Sequence, residues 1–245
     1  MSADEVGRQM ARKKVERTQD DVREYPSYSI DEVAGYIGVP RRTLRSWVSG
    51  YTYRTKSGIR TAPPMIQPAD SKRLLLSFFN LVEAQVLAST RERKIGVAKV
   101  RRAMEFLREQ TNEDRPLLNC IFTTHNQQLF LDSLGGKKLR NPLNISKQGQ
   151  YAFGKILKKY LKRIDRDSSG LPTVLYPMKA GHVTQARVIT IRPFVSAGKP
   201  TLRKSGVMAQ VIWMRKKEGE KVAALARDFR VKPSEIKAAI KYFAA

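Results

Sequence analysis

Arg41, Arg42, Thr43, Arg45 and Ser46 place three guanidinium groups and two hydroxyls within one short stretch of chain. A guanidinium presents a planar fork of donors that matches two acceptors at once, on a phosphate or on the O6 and N7 edge of guanine. A hydroxyl can reach either a phosphate or a base. A second basic patch follows in Gly50-Tyr-Thr-Tyr-Arg-Thr-Lys-Ser-Gly-Ile-Arg-Thr61, where Tyr51 and Tyr53 alternate with Arg54, Lys56 and Arg60. Arg41, Arg42, Thr43, Arg45, Ser46, Tyr53, Arg54, Lys56 and Arg60 are therefore the candidate contacts to double-stranded DNA.

Other chemistry is sparsely represented. His125 and His182 lie 57 residues apart with no cysteine or histidine nearby at ligand spacing. Catalytic zinc needs three protein ligands, so no metal site is expected. No G-x-S-x-G, phosphate-cradling glycine loop or dinucleotide fingerprint appears, so neither a cofactor nor an enzyme activity is expected. Asp165-Arg-Asp167-Ser-Ser169-Gly170 opens like a calcium loop, but Tyr176 stands where a bidentate glutamate is required. It reads as a polar turn after a helix over Tyr151–Arg163.

The elements that must position the arginines are legible around them. Ser29 followed by Glu32 is a capping box that starts a helix. Ile30, Val33, Ala34 and Ile37 then form one apolar face. Gly38 suits the left-handed residue that ends this helix, Val39 fills the corner, and Pro40 suits the first turn of the next. Leu44, Trp47 and Val48 point inward from that second helix and leave the arginines and Ser46 outside. This is a helix-turn-helix followed by a β-hairpin wing. Leu74 to Leu87 predicts a buried helix. Gly96 to Arg108 predicts another, with Val97, Val100, Met104 and Leu107 inward and Lys99, Arg101 and Arg102 outward. Arg91, Arg93 and Lys94 in the loop between them are further phosphate candidates.

The sequence has 47 Lys plus Arg against 22 Asp plus Glu, a net charge of +25, and 41 % hydrophobic residues. Residues 1–24 hold six basic and six acidic side chains, so the rest of the chain carries the whole excess. A folded body this positive calls for an anionic partner, and nucleic acid meets that need through counterion release. The single cysteine, Cys120, excludes an internal disulfide framework. Leu74 to Val82, the greasiest run, is too short to span a bilayer, and the polar N-terminus lacks a signal-peptide core, so a cytoplasmic protein without a membrane partner is expected. The expected class is α+β, in four parts. Residues 1–24 form a charged arm and 25–115 a winged helix-turn-helix domain. Residues 116–190 form a mixed α/β middle with strands in CIFTTHNQQLFL and ARVITIRP, and 191–245 a small helical domain.

The last part repeats the opening pattern. Val222, Leu225, Ala226 and Phe229 face Ile236, Ala239, Ile240 and Phe243 across a turn at Val231, with Ser234, Lys237 and Lys241 outward. Phe194, Gly198-Lys199-Pro200-Thr201 and Gly206-Val207, with the two helices that follow, resemble a small domain of antitoxins encoded beside PIN-like toxins. Gly149-Gln-Tyr-Ala-Phe153, Arg163-Ile-Asp-Arg-Asp167 and Leu175-Tyr-Pro177 fit the same group. From about residue 25 onward the chain is similar to the larger VapB-type antitoxins, although Arg203-Lys204-Ser205-Gly206 replaces their usual Gly-Thr-Arg element. The resemblance implies neutralisation of a PIN-domain ribonuclease toxin and repression of the protein's own operon, as a homodimer or with the toxin. It also implies a C-terminal dimer or toxin contact. The residues alone leave open a stand-alone regulator with an effector pocket in the middle region. An RNA-binding protein is the remaining alternative, against which the aromatics stand at core spacing.

Overall fold

The computed structural model describes residues 21–91, 94–111, 114–119, 157–179 and 187–244. The CIFTTHNQQLFL run, both histidines, Arg93 and most of the arm lie outside these residues, as does the first half of the Tyr151–Arg163 helix. The fold is α+β, with eight α-helices and three separate two-stranded antiparallel pairs among the described residues.

Helix α1 (Ile30–Ile37) begins at the expected capping box. The Glu32 backbone N–H donates to Ser29 Oγ at 3.2 Å, and the Ser29 N–H donates to the Glu32 carboxylate at 2.9 Å. Gly38 ends the helix at φ +66°, and a Cβ there would come within 2.7 Å of the Lys179 side chain. Helix α2 (Arg41–Ser49) follows with Pro40 as its N-cap, one position earlier than the first-turn placement expected. Val33, Ile37, Leu44, Trp47 and Val48 are buried between the two helices. The chain then makes the hairpin of β1 (Tyr51–Thr55) and β2 (Gly58–Ala62), in register from Tyr51 opposite Ala62 to Thr55 opposite Gly58. On its return, the Met65 and Ile66 N–H groups donate to the Trp47 carbonyl at 2.7 and 3.0 Å and close off the end of α2.

Helix α3 (Phe78–Arg91) is buried at every residue from Phe78 to Thr90. It starts four residues later than the apolar run suggested. Ser77 and Asn80 cap each other's backbone at 3.1 and 3.2 Å, so residues that looked like interruptions mark the helix start. Helix α4 (Val97–Thr111) buries Val100, Ala103, Met104 and Leu107, with Val97 partly buried. The outward placement of Arg101 is overturned, because that side chain is only 7 % exposed. A short helix α5 (Pro116–Asn119) and a helical turn at 157–161 lead to a hairpin of β3 (Ile164–Arg166) and β4 (Pro172–Leu175). Leu157, Tyr160, Ile164, Leu175 and Met178 join the same core as α1 to α4. A 3-10 turn at Val22–Glu24 is pinned to this body, because Arg23 donates to Asp167 at 2.6 Å and lies over the Phe79 ring.

The chain ends in a second, smaller core. Strands β5 (Ile189–Thr190) and β6 (Thr201–Leu202) pair. Helices α6 (Ala209–Lys217), α7 (Val222–Asp228) and α8 (Pro233–Ala244) close over Leu202, Ile212, Leu225, Ile236 and Ala239. This module is fastened to α1. Tyr28 Oη donates to the Gly198 carbonyl at 3.0 Å, Tyr242 Oη donates to the Tyr36 carbonyl at 2.8 Å, and Lys199 pairs with Glu32. Ser196 and Ala197 both hold φ near +50° in the loop that delivers Gly198 and Lys199, a strained conformation that surrounding contacts must hold.

Candidate nucleic-acid interface

Helix α2 divides cleanly into a buried and an open side. Leu44, Trp47 and Val48 fix its orientation from within, and Arg41, Arg42 and Arg45 stand exposed on the far side. Arg41 makes an ion pair with Asp31 at 2.6 Å, but both side chains are more than 60 % exposed. Such a pair is worth little in water and gives way readily to a stronger anion. Arg42 and Arg45 have no hydrogen-bond or ion-pair partner among the described residues, and both are exposed, which leaves their donors facing solvent.

The two hydroxyls behave differently. Ser46 is half-buried, and its Oγ donates back to the Thr43 carbonyl at 2.7 Å, so it is spent on its own helix. Thr43 Oγ1 accepts from Arg91 Nη1 at 3.0 Å. That contact carries Arg91 from the end of α3 to the outer side of α2. The sequence placed Arg91 in a loop as a phosphate candidate; the 48-residue separation hid its neighbour Thr43.

The wing continues directly from α2. Gly50 holds φ +67°, and a Cβ there would lie 2.2 Å from the Ala62 carbonyl oxygen, so the junction requires glycine. Every wing residue from Tyr51 to Thr61 except Thr55 is exposed, and Ala62 alone is buried. Tyr53 and Arg60 sit opposite each other, Arg54 opposite Ile59, and Lys56 lies in the turn. Thr55 Oγ1 donates to the Gly58 carbonyl at 2.9 Å and stiffens that turn. The result is a cationic ribbon beside the open face of α2. Its groups suit contact with a polyanion.

The aspartates of the former calcium candidate serve the β3–β4 turn. Asp167 accepts from Ser169, the Leu171 N–H and Arg23, and Asp165 accepts from Tyr176 Oη at 2.6 Å. Burial alone would raise the Asp167 carboxyl, but these donors overcome it and hold the pKa at about 2. Among the described residues no group of three or more His, Cys, Asp and Glu is arranged to hold a metal ion. No helix among them is long and apolar enough to cross a membrane.

Residues 26–104 match a family model described as "Putative DNA-binding HTH domain", a span that takes in α1, α2, the wing, α3 and the first half of α4. Residues 189–243 match a model described as a protein of unknown function, DUF433. The chain is 25 % identical over 233 residues to "Putative antitoxin VapB45" of Mycobacterium tuberculosis, covering 90 % of this chain and 95 % of that protein. It is 28 % identical over 225 residues to "Uncharacterized protein Rv2308" of the same organism, covering 88 % and 89 %. The crystal structure of Rv2018 from M. tuberculosis shares the fold, with a TM-score of 0.63 at 18 % identity over 88 % of this chain and 98 % of that one. Over nine-tenths of its length the chain is thus similar to a protein named as an antitoxin, and its residues 26–104 match a helix-turn-helix family described as DNA-binding.

Proposed function

We propose that the protein is the antitoxin of a type II toxin–antitoxin pair and that it represses its own operon. Helix α2 enters the major groove of operator DNA with Arg42 and Arg45 at base edges, while Arg41 and Thr43 lie at or near the phosphates. Tyr53, Arg54, Lys56 and Arg60 follow the backbone from the wing. The observation that carries this reading is the pair Arg42 and Arg45, without a partner among the described residues, on an open helix face that leads into a cationic hairpin. The net charge of +25 supplies the long-range attraction that such an interface needs. A recognition helix of nine residues gives limited affinity, so a homodimer reading two half-sites completes the proposal.

The toxin is a PIN-domain ribonuclease, met by the C-terminal helices and neutralised in the cytoplasm. PIN toxins hold magnesium in a carboxylate cluster, and an Arg or Lys reaching into that cluster is a suitable inhibitory device. The test has two arms. The full chain is titrated against duplex DNA from upstream of its own gene and against a scrambled duplex of equal length. It is also co-expressed with the product of the adjacent reading frame. Tighter binding to the upstream duplex and rescue of growth are expected. Equal affinity for both duplexes overturns the repressor role, and absence of rescue overturns the antitoxin role.

A further inference from the structure

Arg101 occupies an unusual place for a cation. It projects from α4 toward the wing, with its guanidinium carbon 5.5 Å from the centre of the Tyr51 ring. The side chain is more than nine-tenths buried, and none of its three nitrogens has a hydrogen-bond partner among the described residues. Burial pushes the guanidinium below its ordinary pKa, opposed by the nearby Tyr51, Glu105 and Tyr53 and reinforced by Arg108. Glu105 lies one turn further along α4 but makes no ion pair with it among the described residues. Arg108 is committed elsewhere, donating to the Met65 carbonyl at 2.7 Å.

A buried guanidinium with all its donors idle destabilises a fold, and an apolar side chain of similar length would fill the space better. The ring above it recovers only part of that loss. The cover is light. Tyr51 is 39 % exposed, and in the hairpin that carries it only Ala62 is buried. A small tilt of the wing, or rotation of the arginine past the ring edge, would bring the guanidinium to the surface beside the hairpin.

We propose that Arg101 is a phosphate site of the DNA interface, sheltered under Tyr51 in the free protein and turned onto a backbone oxyanion when the wing seats. This rests on the DNA-binding reading and adds to it a contact that is closed until DNA arrives. Phosphate is favoured over a carboxylate of a partner protein, because the ring that covers the site belongs to the cationic hairpin assigned to the DNA backbone.

The experiment measures binding of the full chain to duplex DNA across a salt series, for the wild type, Arg101→Met and Arg101→Lys, alongside thermal unfolding of each free protein. Each neutralised phosphate contributes a slope of about −0.9 to log affinity against log salt. Arg101→Met is expected to flatten the slope by about one phosphate and weaken binding about tenfold, with a melting temperature equal to or above the wild type. Arg101→Lys is expected to keep the slope. If the wild type binds duplex DNA and both variants match it in slope and affinity, the Arg101 site is overturned and the DNA reading stands. If the wild type does not bind duplex DNA at low salt, both fall. A lower melting temperature for Arg101→Met makes the residue a structural strut and overturns the site. So does an unchanged DNA slope with loss of binding to the adjacent-gene protein, which would assign Arg101 to a protein interface.

Discussion

The two ends of the chain fold the same local pattern and leave it in different states. At the front, α1 and α2 bury Val33, Ile37, Leu44 and Trp47 and expose Arg41, Arg42 and Arg45. At the back, α7 and α8 bury Leu225, Ala226, Ile236 and Ala239 and expose Ser234, Lys237 and Lys241. The front arginines are open or weakly paired, whereas Arg215 of the back module is held between Glu220 and Asp228 and lies over Phe229. The end of α8 is also spent, since Tyr242 reaches Tyr36 and carries Lys179 over its ring. The front pair presents arginines without strong partners, whereas in the back module Arg215 is already paired and the end of α8 is tied to α1. A shared motif therefore does not carry a shared role; the partners of its outer residues do.

The largest expected effects come from the two cores. Trp47→Ala should destabilise the protein by about 3–5 kcal/mol and Ile236→Ala by about 2–5 kcal/mol in urea unfolding. Trp213, in the back module, remains as the fluorescent reporter in both variants. If the α1 junction unites the modules, Trp213 fluorescence and circular dichroism will report one transition, and two separated transitions would show the ends to be independent. Next come the outer faces. Arg42→Ala and Arg45→Ala should each weaken operator binding by about 1–3 kcal/mol, against less than about 0.5 kcal/mol for Lys237→Ala or Lys241→Ala. Equal losses at both ends would erase the distinction between reading helix and buttress.

The junction itself is probed by Tyr28→Phe, which leaves the Gly198 carbonyl without its buried donor and should cost about 1–3 kcal/mol by thermal unfolding. A smaller and pH-specific effect is expected at Asp167. Its folded pKa of about 2 lies below the ordinary value of 3.8. Its contribution is therefore complete above pH 3.8 and is lost as pH falls toward about 2. Asp167→Asn should flatten the fall of urea midpoint across that window relative to the wild type, and an unchanged profile would remove Asp167 from the acid response.

Much of the front module was legible because its signals are local. The Ser29–Glu32 box, the Gly38 stop and the Tyr51–Ala62 hairpin each involve residues close in sequence. The onset of α3 was legible in principle, since Ser77 and Asn80 are three residues apart, but polar residues in an apolar run resemble breaks until their caps are seen. Arg101 was not legible. Its helical position suited an outer face, and only the folded-back wing, placing Tyr51 above it, made that face an inner one. The Tyr242–Tyr36 contact spans 206 residues and leaves no trace in periodicity.

Glu32 divides its carboxylate between two tasks. One oxygen receives the Ser29 N–H that begins α1, and the other receives Lys199 from the strained loop of the back module. Burial alone would raise this carboxyl, but hydrogen bonds from Lys199 and Ser29 draw it below its usual range. A single side chain thus both starts the helix that supports the reading head and fastens it to the tail.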